Sequence, residues 1–340
     1  MTVRAFGPGR VNLVGEHTDY NGGLCLPFAI EQGVTVEGRR RADDTVLADA
    51  LDLGERDEFT LGDVTPAAGW RAFVRGTVAE LQRAGHGLTG CRLAISADLP
   101  RGAGLSSSAA LETALALALL ALAGEPDPDR RVLAGICSRV ENDWVGAQTG
   151  LLDQMAALFG AAGHAIALDM RTLAADPVGL ALGGWHLAVQ DSGVAHAHAE
   201  SGYNERRREC REACRLLGVA SLRDADPGRV ASLPEPLRRR ARHVLDENQR
   251  VRDTLAALDR RDLPAVGRLL DACHVSLRDL FEVSVPEVEH TRDSMKAAGA
   301  AGARIMGGGF GGAVLGLFAP GAVPPPGALA VAPADGARLL

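Results

Sequence analysis

An α+β fold in two parts is what this sequence predicts, and three features carry that expectation. At 340 residues the chain is about twice the usual domain length. Strand-like and helix-like stretches follow one another without the regular βαβ rhythm of a doubly wound sheet. Gly and Pro cluster between Asp169 and Gly184, which places a boundary there and divides the chain into 1–172 and 173–340.

The opening third alternates short β-like runs with Gly and Asp turns: Val3–Phe6, Gly33–Glu37, Thr45–Ala48 and Arg92–Ala97. Between the last two, Phe73, Val74, Val78 and Leu81 repeat at three and four, which predicts an amphipathic helix over Trp70–Ala84. Helices are expected next over Ser107–Ala123 and Asp129–Asp143. Further on, Ser201–Gly218 is a charged amphipathic helix, and Glu235–Asp259 and Leu263–Leu280 are two more with a short connection. Gly302–Met306 and Ala313–Phe318 are the last strand candidates, split by GGGFGG, and Pro324–Pro326 is a turn.

The net charge of −7 argues against a nucleic-acid surface. Arg206–Arg208 and Arg238–Arg242 are interleaved with acids and are read as solvated helix faces. Met1–Arg10 lacks the apolar core of a signal peptide, and the apolar run Ala109–Ala123, interrupted by Glu112 and Thr113, is too short to span a membrane. The cysteines at 25, 91, 137, 210, 214 and 273 make no CxxC pair, as expected of free thiols in a reducing cytoplasm. Lys296 is the only lysine, on an Ala-rich helix read as exposed. A P-loop and a protein-kinase site each need a lysine at the phosphates, so phosphate chemistry here has to rest on backbone N–H groups, a helix dipole, Mg²⁺ and arginine.

Two segments carry chemistry. Leu99–Leu111, LPRGAGLSSSAAL, joins a strand to a long apolar helix through Gly102 and Gly104. Glycines let backbone N–H groups converge, and the helix behind them aims its positive end at the same point, which suits phosphate. Ser106, Ser107 and Ser108 add hydroxyls, one of which can ligate Mg²⁺. The plainer alternative is a glycine turn with a serine N-cap. A dinucleotide site is disfavoured, because the spacing is GxGxxS and no acid ends a strand about 20 residues later.

Gly9–Gly23, GRVNLVGEHTDYNGG, packs Arg10, Asn12, Glu16, His17, Asp19, Tyr20 and Asn21 between two turn signals. A pyranose presents many hydroxyls, each donor and acceptor, so a site that reads their stereochemistry needs dense carboxylates, amides and imidazole. The alternative is a polar loop whose side chains cap local backbone.

These segments resemble the galactokinases, within the wider family of galacto-, homoserine, mevalonate and phosphomevalonate kinases. GRVNLVGEHTDYNGG is similar to the sugar signature, PRGAGLSSSAAL to the shared phosphate loop and ARIMGGGFGG to the third glycine motif; ENDWVGAQTGLLDQM, YNERRREC, LRDAD, HVSLRDLFEVSVPEV and ADGARLL are also similar to galactokinase segments. The resemblance implies an N-terminal ribosomal-protein-S5-like domain, a C-terminal ferredoxin-like domain and a cleft between them, with the last strand packing back on the first domain. It implies Asp153 at the sugar C1 hydroxyl with Arg10 beside it, and Glu16, His17, Asp19, the Gly150 backbone and Tyr203 around the sugar. For ATP it implies Trp70 beside adenine and Gly102, Gly104, Leu105, Ser106, Ser107 and Ser108 at the phosphates, with Mg²⁺ on Ser108 and Glu141. Galactose and ATP are the implied partners of a monomer or weak dimer. Phe281 and Val285 stand where the family often carries Tyr and Cys, and only packing changes are expected from them. His196 and His198, in HAHAESG before Tyr203, are less typical and leave other sugars open: N-acetylgalactosamine, arabinose or galacturonate. A non-catalytic sugar sensor is the remaining alternative, against which SSSAAL, Arg10 and Asp153 are intact.

Overall fold

The computed structural model describes residues 1–100, 104–194 and 199–340, so Gly102, His196 and His198 lie outside the described residues. β1 (Thr2–Asn12), β2 (Leu24–Cys25), β3 (Pro27–Arg40), β4 (Thr45–Ala50) and β5 (Glu55–Thr60) open the chain. They lead through α1 (Trp70–Arg83) to β6 (Cys91–Ala97). α2 (Ser107–Ala123), α3 (Arg130–Arg139), α4 (Leu152–Phe159), β7 (His164–Asp169), β8 (Ala174–Gly179) and β9 (His186–Asp191) follow. The remainder holds α5 (Ala199–Leu217), α6 (Pro227–Val230), α7 (Leu237–Asp259), α8 (Leu263–Asp279) and α9 (Pro286–Ala297). The last strands are β10 (Ala300–Ile305), β11 (Ala313–Phe318), β12 (Leu329–Val331) and β13 (Arg338–Leu339).

Strands β13-β1-β3-β6-β4-β5 form a six-stranded sheet, and β10-β11-β9-β12 form a four-stranded antiparallel one. A third sheet, β2-β7-β8, has three strands, and its β7–β8 hairpin runs across residues 172 and 173. The fold is α+β. β13 pairs with β1 through Ala5↔Leu339, returning the C-terminus to the first sheet. α2 is apolar on nearly every face because it is buried continuously from Glu112 to Leu122, against β1 and β3. Gly7 permits that approach: a Cβ there would sit 2.1 Å from the Ala110 carbonyl oxygen.

The sequence patterns found α1, α2, α7 and α8 nearly to the residue. The helix expected over Asp129–Asp143 is different: α3 stops at Arg139 and the chain continues as a π turn over Val140–Val145. β5 escaped notice because ERDEFT is an edge strand, paired only with β4, with charged side chains facing water. The arginine runs are not simple solvated faces. Arg206 donates to the Phe281 carbonyl at 2.6 Å, and buried Arg240 is held by Glu209 and Glu282 at 2.7 and 2.6 Å. Lys296 is half-buried and ion-paired with Asp271 at 2.8 Å. Among the described residues no helix is long and apolar enough to cross a membrane.

Candidate active site

A cavity of about 340 Å³ opens where the ends of β1 and β10 meet the N-termini of α2 and α4. At its floor, Arg10 Nε and Nη2 donate to Asp153 Oδ1 and Oδ2 at 2.7 and 2.9 Å, a two-point fork between residues 143 apart in sequence. Arg10 Nη1 donates to the Gly104 carbonyl at 2.7 Å, and Ser106 Oγ donates to Asp153 Oδ2. The register of β1 slips between Pro8 and Arg10, and this bulge lies where the arginine turns toward the cavity. Gly9 makes room, since a Cβ would fall 2.8 Å from the Leu105 carbonyl oxygen that accepts from Arg10 N–H at 3.0 Å. Burial works against the Arg10 charge, but Asp153, Glu16 and Glu141 outweigh it and hold its pKa above the usual value.

The serine end of the cavity follows from the start of α2. Ser106 has left-handed backbone, φ 57°, and no side chain caps the helix. Ser106 holds the N-cap position, but its hydroxyl goes to Asp153 and does not cap the helix. Gly104 also has positive φ, 65°. Leu105, Ser106, Ser107 and Ser108 line the cavity with it. Ser108 Oγ donates to Glu141 Oε1 at 2.7 Å, while Thr149 Oγ1 and Gln154 Nε2 both donate to Oε2 at 2.8 Å. Glu141 is buried, lies on the π turn, and has its pKa raised by burial and then by Asp153.

The opposite, polar end is drawn from both halves of the chain. Glu16 is buried; its Oε1 accepts from Arg304 Nη2 at 2.6 Å and from Gly307 N–H at 2.8 Å. His17 has left-handed backbone, φ 60°, and its Nδ1 lies 2.9 Å from the Tyr20 hydroxyl. Its Nε2, next to the Gly308 backbone, is buried without a partner at hydrogen-bonding geometry among the described residues. Burial, then His243 and Arg206, holds the imidazole well below its usual pKa, so it is neutral. Asp19 is pushed up to about 7, mainly by burial and next by Asp153. Gly150 lies so close to it that a Cβ would meet Asp19 Oδ2 at 1.9 Å. Tyr203 packs 5.4 Å from the His17 ring and 5.6 Å from that of Tyr20, closing the end. Phe281 packs under His17 at 4.5 Å, so its packing role is to back a cavity residue.

Of the residues singled out in the sequence, Arg10, Glu16, His17, Asp19, Gly104, Leu105, Ser106, Ser107, Ser108, Glu141, Gly150, Asp153 and Tyr203 all line this cavity. Trp70 does not; at the start of α1 its indole N–H donates to Glu55 at 2.8 Å. The sequence reading passed over Arg304, Thr149, Gln154, Glu112 and the lining glycines Gly307–Gly309. One signal was there to use: Glu112 is a carboxyl inside the long apolar run of α2, beside Thr113.

Residues 2–40 match the galactokinase galactose-binding signature, residues 72–161 the N-terminal domain of GHMP kinases and residues 254–328 their C-terminal domain. A galactokinase of Roseiflexus sp. (strain RS-1) is 42% identical over 333 residues, 93% of this chain and 83% of its own length. A galactokinase of Thermotoga neapolitana is 39% identical over 327 residues, 95% of this chain and 90% of its own. The crystal structure of Lactococcus lactis galactokinase complexed with galactose matches with a TM-score of 0.93 at 33% identity, covering 100% of this chain and 95% of the other. Fold and cavity together define a small-molecule kinase of the class that takes in galacto-, homoserine, mevalonate and phosphomevalonate kinases. Within that class, the chain belongs to the galactokinase family.

Proposed function

We propose that this ATP-dependent sugar kinase transfers the γ-phosphate of ATP to the anomeric C1 hydroxyl of D-galactose, giving galactose 1-phosphate and ADP. The observation that carries the reading is the Arg10 fork on Asp153, set between the serine loop and the polar segment. Asp153 orients the C1 hydroxyl and accepts its proton as the new P–O bond forms. Phosphoryl transfer through a loose transition state asks for positioning before strong base catalysis. Arg10 fixes the carboxylate through its two hydrogen bonds and places positive charge beside the phosphoryl group in flight.

Glu16, His17, Asp19, the Gly150 backbone and Tyr203 surround the sugar. The neutral His17, with Nε2 unpartnered, is ready to bond a hydroxyl. Gly102, Gly104, Leu105 and the three serines hold the phosphates at the start of α2. Trp70, outside the cavity lining, is assigned to adenine by family resemblance alone. Mg²⁺ supplies charge neutralisation on the β and γ phosphates when bound. Ser108 Oγ and Glu141 Oε1 are hard oxygen donors 2.7 Å apart and fit an ion that takes few protein ligands beside phosphate. No lysine enters, in keeping with the pairing of Lys296 elsewhere. A coupled assay of ADP release with D-galactose, N-acetylgalactosamine, arabinose and galacturonate tests the reading. Turnover highest with galactose is expected, and none with galactose overturns it.

A further inference from the structure

We propose that Gln154 and Glu112 are positioning residues that decide which oxygen of Glu141 faces the metal; the inference rests on the reading of Glu141 as a Mg²⁺ ligand. The Gln154 amide nitrogen donates to two carboxyls at once, Glu141 Oε2 at 2.8 Å and Glu112 Oε2 at 3.1 Å. Both Gln154 and Glu112 are fully buried. Each N–H of the amide is taken by a different carboxyl, so the group cannot rotate without breaking both bonds. Turned over, it would set its carbonyl oxygen against two acceptors.

Glu112 lies in the buried stretch of α2, where an apolar side chain would pack without leaving Oε1 unpartnered among the described residues. Among the described residues its one hydrogen bond is the anchoring of Gln154. With Thr149 and Gln154 both on Oε2, only Oε1 of Glu141 turns toward Ser108 and the cavity. Gln154 follows Asp153 on the same turn of α4. One helical turn therefore sets the carboxylate at the sugar hydroxyl and the orientation of the metal ligand together.

The test uses Mn²⁺ as the probe, titrated into the full-length enzyme with ADP present and followed by the EPR signal of the free ion, with the galactose KM measured alongside. Gln154→Met is expected to weaken Mn²⁺ binding by about tenfold or more, the scale on which partners of metal ligands act, with the galactose KM little changed. Glu112→Leu, which removes the acceptor, is expected to weaken Mn²⁺ binding as well, while Glu112→Gln, which keeps an acceptor oxygen for Gln154, is expected to bind Mn²⁺ like the parent. Wild-type Mn²⁺ affinity in Gln154→Met overturns the proposal, and wild-type affinity in Glu112→Leu overturns the part given to Glu112. Should Gln154→Met fail to fold, Thr149→Val removes the other donor to the same oxygen and is judged by the same criterion. Glu141→Gln separates the two levels. If it binds Mn²⁺ normally, the metal assignment itself fails; if it binds weakly while Gln154→Met does not, only the brace fails.

Discussion

The two ends of the cavity are built in opposite ways. The serine end is largely local: residues 104–108 fold into a turn and a helix start, and Glu141 closes them from the adjoining π turn. The polar end is assembled from distant pieces: Glu16 meets Arg304, 288 residues away, while His17 packs on Tyr203 and Phe281 and Asp19 fits against Gly150. The difference matches the ligands proposed for them. A phosphate is recognised by donors converging on one spot, which one turn and one helix can supply. A pyranose turns hydroxyls in every direction, so its side chains have to come from several elements and be held rigid.

The largest test of this contrast falls where the two ends meet. Asp153→Asn is expected to lower turnover by roughly two to four orders of magnitude with galactose and ATP binding largely kept, as for a lost positioned base. Wild-type turnover would remove Asp153 from the chemistry. Next, Arg304→Met leaves the buried Glu16 carboxylate without its partner, and urea unfolding should show a loss of about 3–5 kcal/mol. Galactose affinity should fall with it and nucleotide affinity should not; equal losses at both ends would break the contrast. Gly150→Ala drives a Cβ into Asp19 and is expected to raise the galactose KM about tenfold or more, on the scale of a 1 Å misplacement.

Asp19 gives a pH test. Its pKa is raised to about 7 in the folded protein, so its contribution to stability is full below its unfolded value near 4 and lost as pH rises through 7. The melting temperature of Asp19→Asn relative to wild type, without ligand, should therefore climb between pH 4 and pH 8; a constant difference would mean that Asp19 is not held neutral. Smallest is Trp70→Ala, expected to raise the ATP KM only a few-fold, in line with about 1 kcal/mol for an aromatic contact. No change would remove Trp70 from the nucleotide site.

The legible parts were those governed by neighbours in sequence. α1, α7 and α8 declared themselves through apolar periodicity, α2 through an apolar run, and the serine loop through glycines before that helix. Failures came where longer-range pairing decided. Asp129–Asp143 is helical by propensity throughout, yet the chain widens into a π turn over the segment that carries buried Glu141, bonded to Ser108, Thr149 and Gln154. Arg206 and Arg240 look solvated in a charged run, yet carbonyl and carboxylate partners 31 to 75 residues away draw them inside.

By itself, then, the sequence determined the fold class, the loop suited to phosphate, the polar segment suited to a sugar and the presence of a single lysine, Lys296. These are properties of composition and of spacings within a few turns. The tertiary structure alone decided that Arg10 grips Asp153, that Glu16 is tied to Arg304 and Gly307, and that Gln154 and Glu112 stand behind Glu141. Each of these joins groups that have no local reason to be polar or buried. Their energies exist only once the sheets and helices have excluded water from between them.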